Sequence, residues 1–423
     1  MPCSINKKNS LTEQNLLSIA QHYNSALWVY NADVIKERIS QLKLFDVIRF
    51  AQKACSNIHI LRLMRNMGVK VDAVSLGEIE RALAAGYKPS CDDITFTADI
   101  FEEPTLIRVI DMNIPVNAGS IDMLYQLGKL SPGHKIWLRV NPGFGYGNNK
   151  KTNTGGENSK HGIWYDDLPL ALIAIKRFNL KLIGLHMHIG SGVNYNHLQT
   201  VCDAMVNQVI KFGQDLQAIS AGGGLSIPYR CDEKSIDTKH YFGLWNTARE
   251  RIVNYLGHHI KLEIEPGRFL VAESGVLLCQ IRAIKKMGNR HFILVNAGFS
   301  DLMRPAMYGS YHAISLIAGD KRIINQNKTI DTLVAGPLCE SGDIFTQLEG
   351  GTIAVRSLPV AAQVGDYIII HDTGAYGASM SSNYNSRPLI PEVMFETGIP
   401  REIRRSQTIQ ELLSLEELPI LSK

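Results

Sequence analysis

At 423 residues the chain is too long for one ordinary domain and suits a barrel of roughly 250 residues with a second module. Its 45% hydrophobic and 20% charged content lies in the globular range and excludes a disordered or fibrous chain. A net charge of +4 without a long basic run gives no reason to expect nucleic acid or an anionic membrane as partner.

The polar opening, residues 1–15, lacks an apolar signal core, and no apolar run nears the ~18 residues of a membrane span, so a cytoplasmic protein is expected. Helical spacing over 11–23 leads to a short strand at 26–30, a helix over 31–42 and an apolar run at 47–54 that carries Lys53 near its tip. Further strand candidates lie at 70–75, 94–98, 115–118, 136–140, 182–189, 218–221 and 262–265. Helical segments such as 56–67, 76–85, 120–130 and 198–213 separate most of these runs. The alternation predicts parallel strands with crossover helices, and eight such units predict a closed (β/α)8 TIM-type barrel, hence an α/β fold.

The connection 141–162, rich in Gly, Asn and Lys, is expected on the strand-end face as a mobile cover. Beyond Arg268 the texture changes, with strands at 275–283, 292–296, 329–335 and 366–371 and no regular helices between them. This predicts a mainly β domain, joined by the early strand and closed by a helix over 408–418. The chain then divides into an N-terminal segment, 1–34, that joins the β domain, a barrel over 35–275 and a mainly β part over 276–423. The seven cysteines are scattered, with no CxxC pair and no histidines at zinc-ligand spacing, so most are expected to be free buried thiols and no metal is expected.

In a barrel of this kind the chemistry gathers at the C-terminal ends of the strands, which open on one face. Lys53 ends the first strand candidate. A lysine there can snorkel to solvent, but enzymes that form Schiff bases use a desolvated lysine in this kind of setting. His188 sits in HMHIGSG; alone it would be a core histidine satisfied by a carbonyl, but Gly190-Ser191-Gly192 beside it allows close backbone approach and supplies a hydroxyl. Gly222-Gly223-Gly224 offers backbone N–H groups to a phosphate; it has neither the Lys-Ser/Thr of a Walker loop nor the third spaced glycine of a dinucleotide fingerprint. Glu265-Pro266-Gly267-Arg268 adds a carboxylate and a guanidinium to the same rim. A lysine for an imine, an acid for a pyridine nitrogen, a flat imidazole and a glycine cradle together describe a pyridoxal 5'-phosphate site.

The blocks FAQKACSNIHILRL, VDAVSLGEIERALAAG, HMHIGSG, GGGLSIPY, EPGRFLVAESG, RPAMYGSYH, AGPLCESGDIF and GAYGASMSSNYNSRP resemble those of the diaminopimelate decarboxylases, from Trp28 to about Gln407. The resemblance implies an alanine-racemase-like fold, a barrel plus a β domain, and a carboxy-lyase that converts meso-diaminopimelate to L-lysine and carbon dioxide in the last step of lysine biosynthesis. It implies that Lys53 carries the cofactor as an imine, that His188 stacks on its ring and that Glu265 binds the pyridine nitrogen. Ser191, Gly224 and the backbone of Gly267 and Arg268 would contact the phosphate, with Pro266 beside them and Tyr376 closing the site and meeting the substrate. Arg268, Arg304 and Tyr308 would grip the distal carboxylate of the substrate, Glu340 its distal ammonium, and Cys339 would donate the proton that replaces carbon dioxide; a thiol is mostly protonated at neutral pH. In that family Cys339 and Glu340 come from the neighbouring subunit, which implies a homodimer with shared active sites.

Cys55, Ser226, Asn296 and Ser300 depart from the common pattern, and the lost charge at Asn296 is expected to affect packing or rate. The rival readings are a decarboxylase of ornithine, arginine or a carboxylated polyamine, a racemase, which would be expected to keep an arginine where Glu265 stands, and a cofactor-binding module without chemistry.

Overall fold

The computed structural model describes residues 11–23, 25–145, 154–188, 190, 192 and 194–416. Strand β1 (Leu27–Asn31) precedes eight parallel strands: β2 (Val47–Ala51), β3 (Lys70–Ala73), β4 (Ile94–Ala98), β5 (Val116–Ala118), β6 (Lys135–Asn141), β8 (Lys181–His186), β9 (Ala218–Ser220) and β10 (Lys261–Ile264), with the two-residue β7 (Ile163–Trp164) paired to the end of β6. They pair in chain order and close, β10 on β2, with Glu263 opposite Val47. The runs are short and mostly buried along their length, as strands walled by helices must be.

A helix fills each interval between barrel strands: Ile58–Asn66, Leu76–Ala84, Glu103–Asp111, Ile121–Leu130, Leu168–Phe178, Tyr195–Phe212 and Thr238–Leu256. Local chemistry starts and stops them. Asn57, Ser75, Ser120, Asn194 and Asp237 each accept a backbone N–H of the first turn, and Asn179, Gly213 and Gly257 end helices in the left-handed region.

The interior of the barrel is unusually polar for a core. Arg49, Asp72, Thr95, Asn117, Arg139, His186, Ser220 and Glu263 are all buried. Across the closing pair of strands the Arg49 Nε donates to Glu263 Oε2 at 2.6 Å, with both side chains 6% exposed.

The second sheet holds β1 with β11 (Gly275–Met287), β12 (Arg290–Val295), β13 (Ile314–Ile317), β14 (Thr329–Ala335), β15 (Arg356–Pro359), β16 (Tyr367–Ile370), β17 (Glu392–Glu396) and β18 (Ile399–Arg404). β1 lies between β11, antiparallel with Leu27 opposite Leu278, and β17, parallel with Trp28 opposite Glu392. Leu16, Leu17 and Ile19 of the helix Glu13–Tyr23 pack on Leu27, Val29, Leu278, Ile369, Val393 and Phe395. Each such aliphatic or aromatic side chain contributes about 1.5–3 kcal/mol on burial.

By internal contacts one unit comprises residues 1–35, 228–234 and 271–423, and the other 36–227 and 235–270. The segment 228–234 thus goes with the β unit, which linear boundaries do not anticipate. Several elements are shorter than the sequence suggests, among them the strand expected over 182–189, which ends at His186 and leaves His188 beyond it. β2 stops at Ala51, so Lys53 stands in the 3-10 turn Gln52–Ala54, and the closing helix is Ile409–Leu413, started by a capping box between Thr408 and Glu411. Among the described residues no helix is long and apolar enough to cross a membrane.

Candidate active site

The apolar run of β2 ends in a turn pinned on both sides of Lys53. Gln52 is buried and its Nε2 donates to the Glu78 carbonyl at 3.0 Å, while Ala54 and Cys55 are buried after it. Lys53 alone in the turn is exposed. The desolvated lysine expected from the sequence is therefore not what the fold builds; the amine stands at the mouth of the barrel, near enough for its charge to act on Asp72, Glu78 and His188. Its accessibility suits an amine that must meet a carbonyl carried in from outside.

His188 lies two residues past the end of β8. Its Nδ1 accepts the Gly223 N–H at 3.2 Å, so the ring proton of the neutral form is on Nε2. Burial, and then the charges of Arg139 and Lys53, push its pKa well below the ordinary histidine value. The result is a neutral, flat ring held edge-on by the glycine turn.

That turn cannot carry side chains. Gly222 and Gly224 have φ of +60° and +99°, and a Cβ would collide with the Met187 carbonyl at Gly222, the Glu265 carbonyl at Gly223 and the Gly190 carbonyl at Gly224. Gly192 N donates to Gly224 O at 2.9 Å and Glu265 N to Gly222 O at 2.8 Å, so the turn is clasped between the segment after β8 and the end of β10. With Gly190 and Gly192 it borders a cavity whose far wall includes Asn194, His197, Tyr241 and Trp245. Ser191, expected at a phosphate, lies outside the described residues.

Glu265 follows β10. Its Oε2 accepts from His186 Nε2 at 2.7 Å and its Oε1 from Ser220 Oγ at 3.3 Å, with the side chains of Glu265 and His186 11% and 1% exposed. Burial alone would raise its pKa; His186, by charge and hydrogen bond, and then Arg49 and Arg139 outweigh it and hold the carboxyl below the ordinary glutamate value. Asp72 moves the other way, pushed well above the usual carboxylate range by burial and then by Glu265. Two carboxyls in one interior are thus driven apart, and Glu265 is the one kept anionic. Pro266 O accepts the Ala51 N–H at 3.1 Å, tying the end of β10 to the strand before Lys53; Arg268 opens the short helix Arg268–Val271 after Gly267.

The described part of the 141–162 connection is tied down. Thr154 Oγ1 donates to His188 O at 2.8 Å, Asn141 brackets Gly156, and His161 Nδ1 donates to Asp99 at 2.6 Å. Residues 146–153 of the expected cover lie outside the described residues.

In the β unit, Arg304 is 6% exposed at the start of the helix Arg304–Tyr308, and half-buried Tyr308 ends that helix. Arg304 Nη1 donates to Tyr229 OH at 3.1 Å and to His312 Nε2 at 3.0 Å. The CESGD turn is folded around Asp343, whose two oxygens each accept a backbone N–H at 2.7 Å, from Phe299 and Leu338. Cys339 and Glu340 are exposed on it; the Cys339 N–H donates to Asn385 Oδ1 at 3.0 Å, and Tyr384 OH to Glu340 Oε2 at 3.0 Å. Tyr376 is half-buried and has φ of +57°, a strained backbone for a non-glycine residue.

Four residues depart from the family pattern: Cys55, Ser226, Asn296 and Ser300. Asn296 Oδ1 accepts the Gln280 N–H at 2.8 Å, a bond that an aspartate oxygen would make equally well; Cys55 and Ser300 are buried, and Ser226 Oγ donates to Ile227 O at 3.3 Å. His186, Asp72, Ser220, Tyr229 and His312 escaped the sequence reading. Only His186 carried a signal, since HMH places it two residues before His188 and so on the same side of an extended segment.

A pyridoxal phosphate fits this donor set. The side-chain-free glycine turn leaves room for a phosphate, Glu265 is kept as an anion, and a neutral imidazole and a reachable amine stand on the same barrel mouth. The family of pyridoxal-dependent decarboxylases, by its pyridoxal binding domain, matches residues 32–272. A diaminopimelate decarboxylase of Escherichia coli (strain K12) is 66% identical over 421 residues, which cover 99% of this chain and 100% of the relative. A crystal structure of diaminopimelate decarboxylase superposes with a TM-score of 0.96 at 66% identity, over 99% of this chain and 100% of the other. The diaminopimelate decarboxylase of Helicobacter pylori complexed with L-lysine superposes with a TM-score of 0.81 at 31% identity, over 95% and 98% of the two chains. With a matched pyridoxal binding domain, near-complete mutual coverage and a barrel mouth of this composition, the chain belongs to the pyridoxal-dependent diaminopimelate decarboxylase family.

Proposed function

We propose that the chain removes carbon dioxide from meso-diaminopimelate and releases L-lysine. The observation that carries this reading is Glu265, an acid kept anionic by His186 at the mouth of the barrel, in a chain two-thirds identical to a diaminopimelate decarboxylase. Bound pyridoxal phosphate supplies the electron sink for the charge left on carbon when the carboxylate departs. Glu265, kept anionic, would hold a proton on the ring nitrogen, which an arginine in its place would not, and this would favour decarboxylation over racemisation. Lys53 is the amine that would hold the cofactor's aldehyde. His188 would hold the ring, and Ser191, Gly224, Pro266, Gly267 and Arg268 would hold the phosphate.

Arg268, Arg304, Tyr308 and Tyr376 bind the distal end of the substrate, where a guanidinium suits a second carboxylate, and Glu340 takes its ammonium. Cys339 returns the proton to carbon. Its exposure, with that of Glu340, suits residues that a second copy of the chain lends to its neighbour, so the active unit is a homodimer. The reaction belongs to the cytoplasm, where free amino acids are made.

Purified protein with added pyridoxal phosphate and meso-diaminopimelate is expected to release carbon dioxide and lysine in equal amounts. Turnover of ornithine or arginine with no lysine from diaminopimelate would overturn the substrate assignment.

A further inference from the structure

The guanidinium of Arg304 is not merely buried; it is oriented by a histidine whose tautomer the backbone dictates. His312 Nδ1 lies 2.9 Å from the His371 carbonyl, which can only accept, so Nδ1 carries the proton. Its Nε2, 3.0 Å from Arg304 Nη1, then faces a group that can only donate and must present its lone pair. Tyr229 OH takes Nη1 at 3.1 Å, and the tyrosine ring lies 5.1 Å below the guanidinium carbon and edge-on to His312, with 5.4 Å between ring centroids. Nη1 has two hydrogens, and both are bound inside the protein.

We infer that His312, with Tyr229, is a positioning residue that sets the angle of Arg304 toward the distal carboxylate of the substrate, and so sets affinity for dicarboxylic substrates without taking part in bond breaking. The inference rests on the reading that Arg304 binds that carboxylate. It predicts a binding defect rather than a chemical one, because the chemistry gathers around Lys53 and Glu265.

The test is steady-state kinetics with meso-diaminopimelate on His312→Phe, His312→Gln and Arg304→Ala, each as holoenzyme. His312→Phe keeps a flat ring but removes the acceptor, and it is expected to raise KM about tenfold or more, with kcat within about threefold and the cofactor absorbance band unchanged. His312→Gln restores an acceptor oxygen and is expected to bring KM back to within about threefold. An unchanged KM in His312→Phe while Arg304→Ala raises it overturns the role of His312. An unchanged KM in Arg304→Ala overturns the carboxylate assignment and the inference with it. A fall in kcat and in thermal stability that His312→Gln does not rescue marks His312 as packing only and overturns the inference. Should His312→Phe not fold, Tyr229→Phe removes the other Nη1 partner: a KM about threefold higher supports the bracket, and an unchanged KM overturns it.

Discussion

One histidine, by charge and hydrogen bond, contributes most to keeping Glu265 the charged one of the buried acids. His186 is almost wholly buried, its Nε2 proton goes to Glu265, and its Nδ1 meets no partner among the described residues. Replacing His186 by Phe keeps the volume and removes the bond that, with its charge, opposes the desolvation of Glu265. A hydrogen bond to a charged group is worth about 1.5–3 kcal/mol, so kcat is expected to fall about tenfold to a hundredfold. The pH profile adds a sign. With Glu265 proposed to work as an anion, the rise in its pKa once His186 is gone should move the acid limb of kcat against pH to higher pH. A His186→Phe enzyme with an unmoved acid limb would show that Glu265 does not depend on this partner. The role of His186 was not legible in the sequence because its partner lies 79 positions away, at the end of a strand two places along the sheet. The exposure of Lys53 was hidden for the opposite reason: it follows from a three-residue turn that an apolar run reads through as more strand.

At the scale of elements, the closing seam of the barrel carries its own ion pair. Arg49 on β2 and Glu263 on β10 face each other with almost no solvent, and burial of such a pair is weakly stabilising at best, while loss of one partner leaves a charge without compensation. Glu263→Gln is expected to cost about 3–5 kcal/mol in a urea titration, and the double replacement Arg49→Met with Glu263→Leu to recover most of it. A single variant as stable as the parent would mean that Arg49 finds other compensation. The barrel strands were legible because short runs rich in Val, Ile, Leu and Phe, most of them broken by an inward polar residue, alternate with helices that carry caps and amphipathic spacing. β13, β15, β17 and β18 were not. β13 and β15 are four residues each, and β18, IPREIR, is an exposed edge strand whose polar residues and proline mimic a loop. Their places in the sheet come from pairing with strands distant in the chain, as β1 pairs with β17.

For the whole molecule, acid is the expected point of failure. Burial pushes the His371 pKa down to about 4, and its Nε2 shares a hydrogen bond with Ser315 Oγ at 2.8 Å. The unfolded chain takes up this proton near the ordinary pKa of about 6.5, the folded one only near 4, so the unfolded state binds more protons in between. Stability is therefore full above that window and falls as pH drops from about 6.5 toward 4, by about 3 kcal/mol from this group. Urea titrations at several pH values should show that slope, and His371→Asn should flatten it; an unchanged slope would place the acid sensitivity elsewhere.

The whole assignment turns on one amine. Borohydride reduction of the holoenzyme, followed by peptide mapping, is expected to abolish the visible cofactor band and to leave the pyridoxyl group on the peptide that contains Lys53, with none after Lys53→Ala. A label on another lysine, or cofactor that washes away unreduced from active protein, would contradict it.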